Sequence, residues 1–185
     1  ISQAACRVYH EIDNVDSLLD TIRKHDVKAE FYECDLTDRE QLDKTLETIK
    51  SDFSEIHAVV ANVGGDVSGK DKSASGGKAA SNSIDISLEN HNEIFDRNYL
   101  TCLNTVKAVL PYFKSQGFGK IVTTTSISAG YGVRQETAYA VSKSAVLHLT
   151  RCVATEMRAY DINVNCIAPG ATLTGRFQAT IKDRS

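Results

Sequence analysis

The sequence predicts an α/β fold, a doubly wound parallel sheet with helices on both faces, in a single domain. Three observations predict it. Strand-like and helix-like patterns alternate along the chain. The central strand candidates are nearly continuous apolar runs, as expected for strands buried on both faces of a parallel sheet. Several strands are followed by short Gly, Asn, Ser or Pro runs, at the carboxyl ends where such sheets bind ligands.

The elements follow in order. Cys6–Ile12 is a candidate strand through Val8, Tyr9 and Ile12. From Val15 to His25, Val15, Leu18, Leu19 and Ile22 recur at helical spacing, with one apolar face. Ala29–Cys34 reads as a short strand. Thr37, with Glu40 three residues on, fits a capping box ahead of a helix carrying Leu42, Leu46, Ile49 and Phe53. Ile56–Ala61 is an apolar strand. Gly64–Ser83 is rich in Gly, Ser, Ala and Lys and is expected to be a flexible surface loop within the domain. Ser87 caps a helix running through Ile94, Phe95 and Leu100 towards Leu110. Lys120–Thr125 is a strand, Ala138–Arg158 a long amphipathic helix and Ile162–Ala168 the last strand.

Composition narrows the function. The chain has 185 residues, 42% apolar and 24% charged, ordinary usage for a domain with a packed core. The net charge is −3 and the cations are scattered, so no nucleic-acid partner is expected. No run approaches the roughly 18 apolar residues of a membrane span, and none at the start resembles a signal peptide. The five cysteines are odd in number and no two make a CxxC pair. Free thiols in a reducing compartment, hence a cytoplasmic location, are expected, and no metal ligands are assigned. The chain lacks an initiator Met and is expected to be part of a longer one.

The residues after each strand carry the candidate chemistry. Asp35, before Leu36, can hold a ligand or cap the next helix. Asn62, Val63 and Gly64 can let a flat ligand approach the backbone, and Asn62 can instead stitch neighbouring strands. Ser126 ends the next strand. Tyr139 and Lys143, four residues apart on a predicted helix, share a face. A lysine cation near a phenol lowers its pKa from about 10. Such a tyrosine can exchange a proton with an alcohol or carbonyl oxygen. Pro169 and Gly170 end the last strand, and Thr172 or Thr174 can bond an amide-like group.

In this order and spacing, the segments resemble the short-chain dehydrogenase/reductase family over nearly the whole chain. The intervals 139 − 126 = 13, 143 − 139 = 4 and 62 − 35 = 27 match the family's spacing, as does Asn163–Thr174. The resemblance implies a Rossmann-like domain holding NAD or NADP, acting on an alcohol or carbonyl substrate. It implies Tyr139 as general acid/base, Lys143 as the residue that tunes it and binds the nicotinamide ribose, and Ser126 as the residue orienting the substrate oxygen. Asn98 matches the asparagine that holds a relay water. Asp35 and Leu36 match the pair flanking the adenine. Asn62, Val63 and Gly64 match the segment along the adenosine ribose and nicotinamide, and Pro169, Gly170, Thr172 and Thr174 the segment around the nicotinamide amide. A homodimer or homotetramer is implied.

The family's glycine-rich phosphate loop is expected upstream of Ile1, and a substrate-covering segment beyond Ser185. Ala61 stands where the family has a first asparagine. The long Gly64–Ser83 loop is expected near the cofactor mouth. Asp13, 35 − 13 = 22 residues before Asp35 and with no arginine after it, matches an acidic residue that bonds both ribose hydroxyls, which favours NAD. A non-catalytic scaffold on the same fold is the main alternative. An epimerase or dehydratase is a further one, although such relatives usually carry a larger substrate domain.

Overall fold

The computed structural model describes residues 15–65 and 83–173. Three parallel strands form its sheet: β1 (Ala58–Ala61), β2 (Gly119–Thr124) and β3 (Ile162–Ile167), in the order β1-β2-β3. The register pairs Ala61 with Thr123 and Thr123 with Cys166. The carboxyl ends of all three strands therefore finish along one edge. Asn62, Ser126 and Pro169 leave the sheet on that edge.

Among the described residues five α-helices accompany the strands: α1 (Val15–Arg23), α2 (Arg39–Asp52), α3 (Leu88–Phe95), α4 (Thr101–Gln116) and α5 (Thr137–Glu156). The sequence placed α1, α2 and α5, and read α3 and α4 as one helix running from Ser87 towards Leu110. Ser87 caps α3, its side chain accepting from Asn90 N–H at 3.2 Å. The N-cap of α2 is Asp38 rather than Thr37, with its carboxylate accepting from Glu40 and Gln41 N–H. Thr37 is occupied elsewhere: its N–H and Oγ1 both donate to Asp35 Oδ1. The helix reaches further than Leu110, to Gln116, and ends on left-handed Gly117 (φ 81°).

Two strand expectations need correction. Ala29–Cys34 joins no ladder among the described residues. A strand needs a paired neighbour, and here the Ala29 carbonyl is taken by the Arg23 guanidinium instead. β1 is not buried on both faces, for Val60 is 62% exposed; it is an edge strand of the described sheet. The Cys6–Ile12 strand and most of the Gly64–Ser83 loop lie outside the described residues.

One core gathers α2, α4, α5 and the sheet through Leu42, Leu46, Val106, Phe113, Ile121, Val146 and Val164. Phe113 is fully buried. Its ring lies against Gly119 so closely that a Cβ on that residue would collide with it. Glycine at the start of β2 thus permits the approach of α4. No helix of the described residues is long and apolar enough to cross a membrane.

Candidate active site

Ser126 leaves β2 with extended backbone and caps a short 3-10 turn, Ile127–Gly130. Strand-like pairing continues beyond the ladder: Thr125 N–H donates to Ile167 O (2.9 Å) and Ile127 N–H to Pro169 O (3.1 Å). Ser126 and Pro169 are therefore neighbours. A Cβ on Gly170 would stand 3.5 Å from Ile127 Cδ1, so the Pro-Gly segment packs on the same turn. Thr172 Oγ1 turns back to Gly170 O (3.2 Å).

Helix α5 is clamped to this edge. Thr125 Oγ1 donates to Lys143 O at 2.7 Å, and Ser144 Oγ donates to Ala129 O at 3.0 Å. Tyr139 is half-buried and Lys143 is buried on α5. Lys143 Nζ lies 5.8 Å from the centre of the Tyr139 ring and donates to Thr124 O at 2.9 Å. Burial drives the Lys143 ammonium down to about 8, partly opposed by the nearby Cys102 thiol. Burial pushes Cys102 up to about 11, with Lys143 acting against the rise.

Asn98 arrives from the α3–α4 junction. There the chain forms a π-turn, Asp96–Leu100, an irregularity frequent at functional sites that no sequence pattern announced. Asn98 is 1% exposed. Its Nδ2 donates to Ile94 O (2.7 Å) and Gly65 O (2.8 Å), and its Oδ1 accepts from Gly65 N–H (3.0 Å). This holds the backbone after β1 against the α3–α4 junction. A Cβ on Gly64 would stand 2.6 Å from Asn98 Oδ1 and 2.8 Å from Lys143 Nζ. Asn98, Gly64 and Lys143 are thus brought together, while Thr125 ties Ser126 to Lys143.

The other predicted ligand residues divide. Asp35, Leu36 and Val63 line a cavity of about 640 Å³ together with Cys34, Arg97 and Thr101, a volume suited to a small-molecule group. Asp35 neither caps α2 nor reaches across this cavity. Its Oδ1 closes a turn with Thr37, whose two hydrogen bonds hold the carboxyl below its ordinary value. Its N–H donates to Gln41 Oε1. Asn62 stitches strands: Thr124 Oγ1 donates to its Oδ1 at 2.8 Å. Asp13 and Thr174 lie outside the described residues. Arg97 and Asn104 were not foreseen. Asn104 Nδ2 donates to Leu36 O (2.9 Å) and Thr37 O (3.3 Å), so α4 supports the Asp35–Leu36 segment. A long-range bond of this kind leaves no local signal.

These features fit a nicotinamide dinucleotide. Gly64 lets a buried ammonium close against the backbone after β1, and Asp35–Leu36 and Val63 border a cavity. Comparison with known proteins agrees. The cyclohexanol dehydrogenase of Rhodococcus sp. (strain TK6) is 29% identical over 165 residues, 88% of this chain and 58% of that protein. An NAD+-bound xylitol dehydrogenase superposes with a TM-score of 0.79 at 25% identity, covering 90% of this chain and 60% of that one. An NADPH-dependent 3-quinuclidinone reductase from Rhodotorula rubra superposes at 0.75 with 29% identity, covering 89% and 58%. The chain thus spans about three fifths of the length of these relatives. The short chain dehydrogenase family model matches residues 3–185, and the chain belongs to that family.

Proposed function

We propose that the protein interconverts a secondary alcohol and its ketone with NAD or NADP, using Tyr139 as general acid/base. The observation that carries the reading is the buried Lys143 ammonium beside the Tyr139 ring, packed against Gly64 and Asn98. In the proposed reaction this cation is the group that would stabilise a phenolate. Tyr139 Oη then takes the proton of an alcohol, or returns it to a carbonyl oxygen. Ser126 holds that oxygen by a hydrogen bond. Asn98 fixes the Gly65 backbone next to Lys143 and matches the asparagine that holds a relay water in the family. When bound, the nicotinamide supplies or receives the hydride, the step that no side chain can perform.

Lys143 and Gly64 would meet the nicotinamide ribose, and Asp35, Leu36 and Val63 the adenosine half. Asn62 supports that edge through Thr124 rather than by offering its Oδ1 to a ligand. Pro169, Gly170, Thr172 and Thr174 would border the nicotinamide amide. Asp13 remains the residue on which the preference for NAD rests. The likeness to enzymes of cyclohexanol, xylitol and 3-quinuclidinone supports a secondary alcohol or ketone as the reacting group. Small ring alcohols and polyols are therefore the first substrates to test. The full chain is mixed with cyclohexanol, xylitol and NAD+ or NADP+, and nicotinamide absorbance is followed. Reduction of the cofactor that depends on the alcohol is expected. Absence of turnover across a broad alcohol and ketone panel contradicts the reading.

A further inference from the structure

We propose that Arg97 is a further cofactor-binding residue, whose guanidinium stacks on the face of the adenine base instead of meeting a phosphate. The inference rests on the proposed nicotinamide dinucleotide. Arg97 is half-buried and lines the cavity of about 640 Å³. Among the described residues no ion pair or hydrogen bond engages its guanidinium. A cation drawn out of water without a partner is costly, so a ligand group that covers it gains affinity.

The lining of the cavity names that group. Four carboxylates, on Glu33, Asp35, Glu93 and Asp96, border the cavity against this one cation. Such a field disfavours a phosphate. Leu36 and Val63 add an apolar wall. The occupant that suits both is neutral, flat and aromatic, with an amino group to offer the carboxylates. Adenine has all of these properties. A guanidinium is planar and weakly hydrated, and it stacks on aromatic faces where an ammonium is only a point charge. The backbone that carries it is set in advance. Thr101 Oγ1 donates to Arg97 O at 2.7 Å. Asn98, the next residue of the same π-turn, is tied to Ile94 and Gly65. The turn thus sends Asn98 towards Gly64 and Arg97 into the cavity. Two consecutive residues serve the two halves of one cofactor.

The test is binding by the full chain, read by NMR titration with AMP and with ribose 5-phosphate, which lacks the base. In wild type, AMP should move the Arg97 Hδ protons upfield, the ring-current mark of a base stacked on the guanidinium. Ribose 5-phosphate should not. Arg97→Ala should bind AMP about three- to thirtyfold more weakly and ribose 5-phosphate as wild type does, which also shows that the variant is folded. Arg97→Lys keeps the charge without the plane and should lose AMP affinity as well. Unchanged AMP affinity in Arg97→Ala overturns the proposal. Equal losses for both ligands, or full AMP affinity in Arg97→Lys, overturn it too, because either result marks a charge contact with the phosphate. A wild-type chain that binds no AMP overturns it whatever the turnover. A chain that binds AMP through Arg97 yet turns over no alcohol or ketone counts against the oxidoreductase reading alone.

Discussion

Gly64 and Lys143 approach so closely that a Cβ on the glycine would stand 2.8 Å from the lysine Nζ. The same Cβ would meet Asn98 Oδ1 at 2.6 Å. Gly64→Ala must therefore displace one or both side chains. Overpacking of this kind typically costs about 1–3 kcal/mol. Displacement of the ammonium by a fraction of an ångström lowers kcat/KM by roughly ten- to a hundredfold. Steady-state kinetics and urea denaturation of the same variant check both. Wild-type behaviour in the two measurements would contradict the packing described.

Lys143 gives stability a pH dependence whose sign follows from its burial. In the unfolded chain the ammonium holds its proton to about 10.4, whereas in the fold it releases it at about 8. Between these values the unfolded state binds more protons, so stability rises with pH. Below about 8 both states are protonated, and the penalty for the buried charge is fully present. Cys102 acts the other way from about 9, its ordinary value, to about 11, where the folded thiol keeps its proton. The rise should therefore be clearest between pH 8 and 9, on the order of 1 kcal/mol. Denaturation of wild type and Lys143→Met at a series of pH values checks it. The increment should vanish in the variant, which should also be the more stable protein at neutral pH.

Asn104 reaches from α4 to the Leu36 and Thr37 carbonyls. Asn104→Ala leaves both without that donor and loosens the segment bordering the adenosine cavity. A severalfold higher cofactor KM with nearly unchanged kcat is expected, the mark of lost uniform binding. A fall in kcat at constant KM would place the residue's influence on the chemistry instead.

Gly119 and Phe113 are a test of the core rather than the site. Gly119→Ala drives a methyl group into a fully buried ring. A loss of about 1–3 kcal/mol is expected, read by chemical denaturation. Stability within error of wild type would mean that α4 moves away from the strand at no cost.

Much of this arrangement was legible because it is local. Lys143 follows Tyr139 by one helical turn, and Ser87 caps its own helix, so spacing alone suffices. Lys120–Thr125 and Ile162–Ala168 were read as strands, and β2 and β3 lie there. What stayed hidden depends on tertiary partners. Asp38 displaced Thr37 as the cap because Thr37 had been captured by Asp35. The π-turn at Asn98 is fixed by bonds to Gly65, 33 residues away in sequence. Asn62 offered two readings, and only the strand register put Thr124 within reach of it. The Ser128–Glu136 bond likewise needs the turn after β2 folded onto α5.

The central claim is that Tyr139 moves the proton, and Tyr139→Phe in the full chain tests it most directly. The substitution keeps the ring beside Lys143 and removes only the hydroxyl. Cofactor binding, read by nicotinamide fluorescence, should be retained, while kcat for the best alcohol of the panel should fall by at least about a hundredfold. Retained turnover in that variant, with cofactor bound as in wild type, would contradict the assignment.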